Sequence, residues 1–265
     1  MNRAIRGELV KLFATRLPAW ALLCAVVCGG GLTGLIALVG PEHSTPPLPG
    51  LDTAEGVGIV VGLGGLLLFV PALIGTVAVT GEYRHRAIAT TFLAMPRRWQ
   101  VLAAKLLVFG GLGLGYGVVA SASAGGAIAL GAAVHGVELG VPPGELVALL
   151  ARYAVAATVY TLLGVGIGAL ARHQLLAVGI VLGYFYFLEH VLMILPGVGA
   201  VHPFLPGGAT AALTDFAFLR DAVAEQLPYA VAPALTPLGG ALVLLGYALA
   251  ASIAAVAVPL RRDPR

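Results

Sequence analysis

Long runs of apolar residues recur along this chain, and they limit the folds open to it more than any other feature. Because about 20 apolar residues cross a bilayer as a helix, these runs predict six membrane spans, near residues 17–39, 56–79, 101–134, 146–170, 175–195 and 237–260. Charged residues make up 10% of the chain, against about 25% in soluble domains. The sequence therefore predicts an all-α membrane protein in which residues 1–265 form one transmembrane domain.

The first 16 residues precede the first span and differ from it in composition. Basic residues alternate there with Ile5, Leu9, Leu12 and Phe13, a pattern typical of a helix that lies on a membrane surface. The apolar run that follows is longer than the core of a signal peptide. We therefore expect an interfacial helix followed by a retained first span.

The basic residues fall mostly in alternate connectors. If both termini are cytoplasmic, every lysine and arginine except Arg152 and Arg220 lies on or near the cytoplasmic side. This arrangement obeys the positive-inside rule, and the inverted one breaks it at each loop. The sequence predicts a multi-pass protein of the cytoplasmic membrane with both termini inside.

Glycines recur four residues apart within the predicted spans, where they allow helices to approach closely. Two interpretations stay open: packing inside one subunit, or contact between two subunits. The pairs are Gly30/Gly34, Gly58/Gly62, Gly111/Gly115, Gly113/Gly117 and Gly164/Gly168.

The largest outer connector, 196–236, contains a predicted turn at residues 207–210. A helix with one apolar face is predicted after it, and this helix fits the outer membrane surface. Its apolar positions are Leu213, Phe216, Leu219, Val223 and Leu227.

The connector between the second and third spans carries a dense group of charges, which places it outside the bilayer. Ile88, Phe92 and Met95 fall on one face of a helix, and Pro96 ends the pattern. A short amphipathic helix of this kind fits two environments. One is the lipid headgroup layer, and the other is a groove on a soluble partner.

Three short motifs in this region resemble those of a known protein family. They are Glu82-Tyr83-Arg84, the run IATTFLA at residues 88–94, and Pro96-Arg97-Arg98 followed by VLAAK at 101–105. Together they resemble the permease subunits of type-2 ATP-binding-cassette (ABC) exporters. The family usually has Gly-Thr after the Glu-Tyr-Arg-x signature, where this chain has Arg86-Ala87.

The resemblance implies a cytoplasmic coupling helix, between spans two and three, that docks into a separate ABC ATPase subunit. It implies two ATPase copies that bind ATP and Mg, a second permease copy or paralogue as dimer partner, and export of a small amphiphile such as a drug, peptide or lipid-like molecule. The residues it assigns to the ATPase interface are Glu82, Tyr83, Arg84, Ile88, Thr91, Phe92, Met95 and Arg97.

The chain contains no phosphate-binding loop of the form G-x-x-x-x-G-K-[ST] and no H-E-x-x-H or G-x-S-x-G motif. We therefore expect a transporter subunit without catalytic residues or a cofactor of its own, embedded in lipid and without a nucleic-acid partner. An ion-gradient-driven secondary transporter is the first alternative, and an integral membrane enzyme is the second.

Two ionisable positions lie inside predicted spans, where charge is costly. Arg152 is in the fourth span, and Glu189, with His190 beside it, is in the fifth. One interpretation places these residues on a substrate route. The other makes Arg152 and Glu189 a structural ion pair, or lets each side chain extend to the outer headgroups.

Overall fold

The computed structural model describes residues 1–45, 47–84, 98–171, 173–195, 199–216, 218–226 and 233–257. Within these ranges the chain is helical and contains no strand. The prediction of an all-α protein is confirmed at this level.

The helices are numbered here along the chain. They are α1 (Asn2–Phe13), α2 (Leu17–Val39), α3 (Ala54–Arg84), α4 (Arg98–His135), α5 (Pro143–Ala171), α6 (Gln174–Leu182), α7 (Glu189–Ile194), α8 (Pro206–Thr214), α9 (Phe218–Gln226) and α10 (Pro237–Ala257).

Several helices change winding along their length. A π-turn, Val27–Gly31, lies within α2, and another, Gly183–Leu188, joins α6 to α7. A 3₁₀ turn, Gly64–Leu67, interrupts α3. Pro71 follows this turn and has no N–H to donate to the carbonyl of Leu67, so the regular helical bond is missing there.

Five helices within the described residues are long and apolar enough to cross a membrane: α2, α3, α4, α5 and α10. Gln174–Phe185 is apolar but shorter. By length and composition, the chain is a multi-pass membrane protein. Since the helices alternate in direction, α1 and the last turn of α3 lie at one end of the bundle, called here the α1 end, and α8 enters from the opposite end.

Helix α5 occupies the centre of the bundle. Its most apolar window is 67% buried, compared with 28% for α2 and for α10. Small residues allow its neighbours to approach: a Cβ on Gly164 would collide with the carbonyl of Ala72, and one on Gly75 with the carbonyl of Thr161. Helix α5 therefore packs closely against its neighbours in the middle of the bundle.

Most of the predicted glycine pairs pack inside the subunit. Gly30 and Gly34 face α4, Gly113 and Gly117 face α5, Gly164 and Gly168 face α3, and Gly62 faces Phe216. A Cβ on Gly58, Gly111 or Gly115 would meet nothing within 4 Å. The intrasubunit interpretation accounts for the first group. Among the described residues, Gly58, Gly111 and Gly115 have no packing partner at the Cβ position.

The outer connector differs from its prediction. Residues 207–210, predicted as a turn, form the first turns of α8, and α8 is buried along most of its length. Its Thr210 Oγ1 lies 2.9 Å from the hydroxyl of Tyr160, near the middle of α5. Asp215 adopts a left-handed conformation (φ 58°) and ends α8, so the predicted single helix is two helices, α8 and α9.

Candidate functional site

Four charged side chains converge at the α1 end of the bundle. Glu8 and Lys11 come from α1, Glu82 comes from the last turn of α3, and Lys105 comes from the second turn of α4. We call this group the ion cluster. It connects the N-terminal helix to both helices that flank residues 85–97.

The two lysines each contact both acids. Lys105 Nζ lies 2.6 Å from Glu8 Oε2 and 3.0 Å from Glu82 Oε1. Lys11 Nζ lies 2.9 Å from Glu8 Oε1 and 3.0 Å from Glu82 Oε1. With two positive and two negative groups, the cluster is neutral as a whole.

The ion cluster is buried on one side and open on the other. The side chains of Glu8 and Lys105 are 1% and 4% exposed, whereas that of Lys11 is 41% exposed. Burying a charge without a counter-charge costs roughly several kcal/mol of stability. Glu8 and Lys105 can therefore both be buried as ions because each neutralises the other. Lys105 also lies 5.5 Å from the ring centre of Phe109, a contact that favours the cation.

Proton affinities at the cluster follow from these contacts. Burial alone would raise the pKa of Glu8, but the ammonium groups of Lys105 and Lys11 outweigh it and hold that pKa below its usual value. Burial likewise opposes the charge of Lys11, and the carboxylates of Glu8 and Glu82 overcome it, so the pKa of Lys11 is raised. Both residues are therefore charged at neutral pH.

Helical spacing explains how the sequence places these groups. Glu8 lies on the face of α1 that carries Ala4 and Leu12, which is buried against the bundle. Leu9 and Phe13, which are more apolar than Glu8, are nevertheless 39% and 72% exposed and face away from the bundle. The face of α1 that packs on the protein is thus centred on a carboxylate.

The predicted ATPase-interface residues divide into two groups. Glu82, Tyr83 and Arg84 form the last turn of α3, in continuity with the span rather than in a separate helix. Glu82 joins the ion cluster, and Tyr83 is partly buried against the apolar core at the α1 end. The remaining predicted residues, Ile88, Thr91, Phe92, Met95 and Arg97, lie outside the described residues.

The end of α3 also contacts α6. Arg84 donates a hydrogen bond of 3.2 Å to the side-chain oxygen of Gln174. Both residues line a shallow cavity with His173, Leu175 and Val178. The last residue of α3 is thereby tied to the first residue of α6.

The intramembrane charges do not pair with each other. Arg152 Nη1 lies 3.9 Å from Asp215 Oδ2, at the junction of α8 and α9, and the Arg152 side chain is 36% exposed. Glu189 instead contacts the backbone of α8. Between these two described side chains the structure shows no ion pair, so the structural pairing of Arg152 is with Asp215.

Glu189 caps the buried start of α8. Its Oε1 accepts hydrogen bonds from the N–H groups of Gly207 and Gly208. The first N–H groups of a helix have no partner within the helix, and the helix dipole favours a negative charge there. Gly207 passes so close that a Cβ would lie 2.8 Å from this oxygen. His190 follows Glu189 in α7, and its side chain lies outside the described set.

Sequence reasoning found Glu82, Arg152 and Glu189 but missed Glu8, Lys11 and Asp215. The one available signal was chemical: Lys105 is a lone cation near the start of a long apolar run, and Glu8 is the single acid of the N-terminal helix. Glu8 and Lys105 are 97 residues apart in the sequence, so their ion pair is a tertiary contact that local patterns do not reveal. In the part of the chain that the structure describes, no three His, Cys, Asp or Glu side chains group as metal ligands would.

Comparison of the chain with protein-family models finds no match, and comparison with curated protein sequences finds none either.

Proposed function

We propose that this chain is the membrane-spanning permease subunit of an ABC exporter that moves a small amphiphile with ATP hydrolysed by a separate subunit. The motifs at Glu82-Tyr83-Arg84 and around residues 88–105 support this proposal. In it, α6, the π-turn and α7 together form a sixth span, the α1 end is cytoplasmic, and a second permease copy or paralogue completes the dimer.

One structural observation carries the proposal: the ion cluster holds both flanks of the 85–97 segment. Glu82 lies three residues before the segment, Lys105 lies eight residues after it, and each contacts α1. A segment that transmits force from a soluble subunit needs rigid attachment to the spans at both ends. Here that attachment consists of buried charge pairs, which are costly to separate.

In this proposal the coupling helix fills a groove on the ATPase with Ile88, Phe92 and Met95. Buried apolar side chains supply most of the affinity of such an interface, while charged groups at the rim set its orientation. Glu82 and Arg84 then fix how the segment leaves α3, since both are already held by contacts within the permease.

The direct test is Phe92→Asp, followed by co-purification with the ATPase and by ATP turnover. We expect loss of ATPase association together with normal insertion of the permease. The matched control is Phe204→Asp, which places the same change on an exposed phenylalanine (53%) at the opposite end. Equal co-purification and equal turnover for Phe92→Asp and the unchanged protein would contradict the proposal, and would favour a segment that rests on lipid headgroups.

Orientation has its own test, by thiol labelling of intact cells. Cysteine at Glu138, exposed after α4, should react with an impermeant reagent, while cysteine at His173, exposed at the α1 end, should not. The reverse pattern would place the α1 end outside and remove the coupling segment from the ATPase. Pro206 is unsuitable as an outer reporter because it is buried in α8.

A secondary transporter is the second candidate, and one observation favours it. Such proteins carry acids within the bilayer, and Glu189 is a buried acid near the fold's interior. The two candidates differ in their energy source. Transport by the reconstituted chain that follows an ion gradient without any ATPase would select this candidate.

A further inference from the structure

A cavity of about 350 Å³ lies between α3, α5 and α8, toward the end opposite α1. Its wall includes four aromatic side chains, those of Phe69, Tyr160, Phe185 and Phe216, which we call the aromatic wall. The rings of Tyr160 and Phe185 pack against each other with centroids 5.3 Å apart. The volume lies within the range of about 300–1,000 Å³ that is usual for small-molecule sites.

The cavity contains one acid among the described residues that line it, Glu189, which is 2% exposed. Oε1 of this carboxylate accepts the hydrogen bonds from Gly207 and Gly208. Oε2 is buried and accepts no hydrogen bond within the part of the chain described. An unpartnered buried carboxylate oxygen is costly, so it favours any group that brings a positive charge and a donor.

Two basic side chains, those of His202 and Arg220, also line the cavity. Arg220 turns its guanidinium to its own neighbour: Nε and Nη2 lie 2.9 Å and 2.7 Å from Asp221 Oδ1. The guanidinium of Arg220 is thus paired with Asp221 and not with Glu189. A ligand with one cationic end and one apolar body matches the acid and the rings together.

We propose that this cavity binds small amphiphiles that carry a protonated amine, with the ammonium group against Oε2 of Glu189 and the apolar body against the aromatic wall. The ammonium group donates hydrogen bonds to the open oxygen and offsets its charge. Aromatic faces attract cations as well as apolar groups. This inference deepens the proposed function by naming a substrate class. Its test measures binding without an ATPase, so the two proposals fail separately.

The experiment compares 4-phenylbutylamine with 4-phenylbutanol, which share a skeleton and differ in the charged group. Each is titrated at pH 7 into the purified full chain in detergent micelles, and Kd is measured by calorimetry. We expect the amine to bind at least about tenfold more tightly than the alcohol. Glu189→Gln keeps an oxygen for Gly207 and Gly208 but removes the charge, so the amine should then bind no better than the alcohol.

A second variant tests the cavity without touching the acid. Gly65 lines the cavity, and a Cβ there meets none of the described atoms within 4 Å. Gly65→Leu should therefore fill the space and weaken the binding of both compounds. Gly58→Leu is the matched control, since Gly58 is equally open but lies outside this cavity. Arg152→Gln controls for loss of a charge elsewhere. Neither control should change the Kd.

Three results would overturn the inference. The amine and the alcohol bind equally in the unchanged protein, or the preference for the amine survives Glu189→Gln, or Gly65→Leu leaves both affinities intact. If Glu189→Gln does not fold, the first and third results still decide the matter.

Discussion

Glu8 and Glu189 are buried to the same extent, each 2% exposed, yet their surroundings differ in kind. Glu8 contacts two ammonium groups within the ion cluster. Within the described residues, Glu189 accepts backbone N–H donors on one oxygen and no donor on the other. The chain itself completes the charge balance at the α1 end and leaves it incomplete at the cavity.

This difference separates two uses of buried charge. A neutral, mutually paired group holds three helices together and balances its own charges, although Oε2 of Glu82 accepts no hydrogen bond within the described residues. A carboxylate beside a cavity, with one oxygen that accepts no hydrogen bond from the described residues, can still bind a ligand. We therefore expect substitutions at the ion cluster to act on stability and coupling, and substitutions at Glu189 to act on ligand binding with a smaller effect on stability.

The largest effect should follow Lys105→Ala, which leaves Glu8 buried beside one partly exposed lysine. Breaking a buried ion pair from one side costs about 3–5 kcal/mol, so the free energy of unfolding should fall by that amount. The measurement is equilibrium unfolding in mixed micelles. Lys11→Ala is the control: its side chain is 41% exposed, and the loss should be about 1 kcal/mol or less. An equal decrease in the free energy of unfolding for the two variants would show that burial of Lys105 adds nothing to the strength of its ion pairs.

Glu189→Ala should lower the free energy of unfolding by about 1–3 kcal/mol, because the buried N–H groups of Gly207 and Gly208 lose their acceptor. Glu189→Gln should lower it less, since the amide oxygen can accept the same bonds. The same unfolding assay measures both. An equal loss for the two variants would mean that the negative charge, rather than the hydrogen bonds, holds the start of α8.

Stability should depend on pH through Glu8. Its pKa in the folded protein lies below the ordinary value of 4.5, so its contribution is complete above about pH 4.5 and is lost as pH falls through the lowered pKa. Unfolding midpoints measured from pH 7 downward should show this acid limb. Glu8→Gln should flatten it. An unchanged limb in that variant would assign the acid dependence to another carboxylate.

The smallest effect concerns Arg152. Because Arg152 contacts Asp215 and not Glu189, a double-mutant cycle of Arg152→Ala with Glu189→Ala should be additive within about 0.5 kcal/mol. The cycle of Arg152→Ala with Asp215→Ala should give a coupling of no more than about 1 kcal/mol, since both groups are partly exposed. A stronger coupling between Arg152 and Glu189 would instead support the ion pair between them that the sequence suggested.

Five of the six spans predicted from the sequence correspond to helices long and apolar enough to cross a membrane, because span length is set by the bilayer and is visible locally. The interaction of Glu8 with Lys105 is invisible locally, since it depends on how α1 folds back across the bundle. The turn predicted at Gly207-Gly208 was wrong for a related reason. Glycines usually mark turns, but here they give Glu189 close access to the start of a helix, and that carboxylate comes from a different helix.

The length of α4 has a mechanical consequence. Its 38 residues form a rod of about 57 Å at about 1.5 Å per residue, nearly twice the thickness of the hydrocarbon core, which is about 30 Å. Ordinary tilt takes up only part of this excess, so the rod projects from the bilayer at one end or both. By geometry, a rotation of about 5° about one end displaces the other by about 5 Å. A small change in tilt about the end near Lys105 thus becomes a displacement of several ångströms near His135.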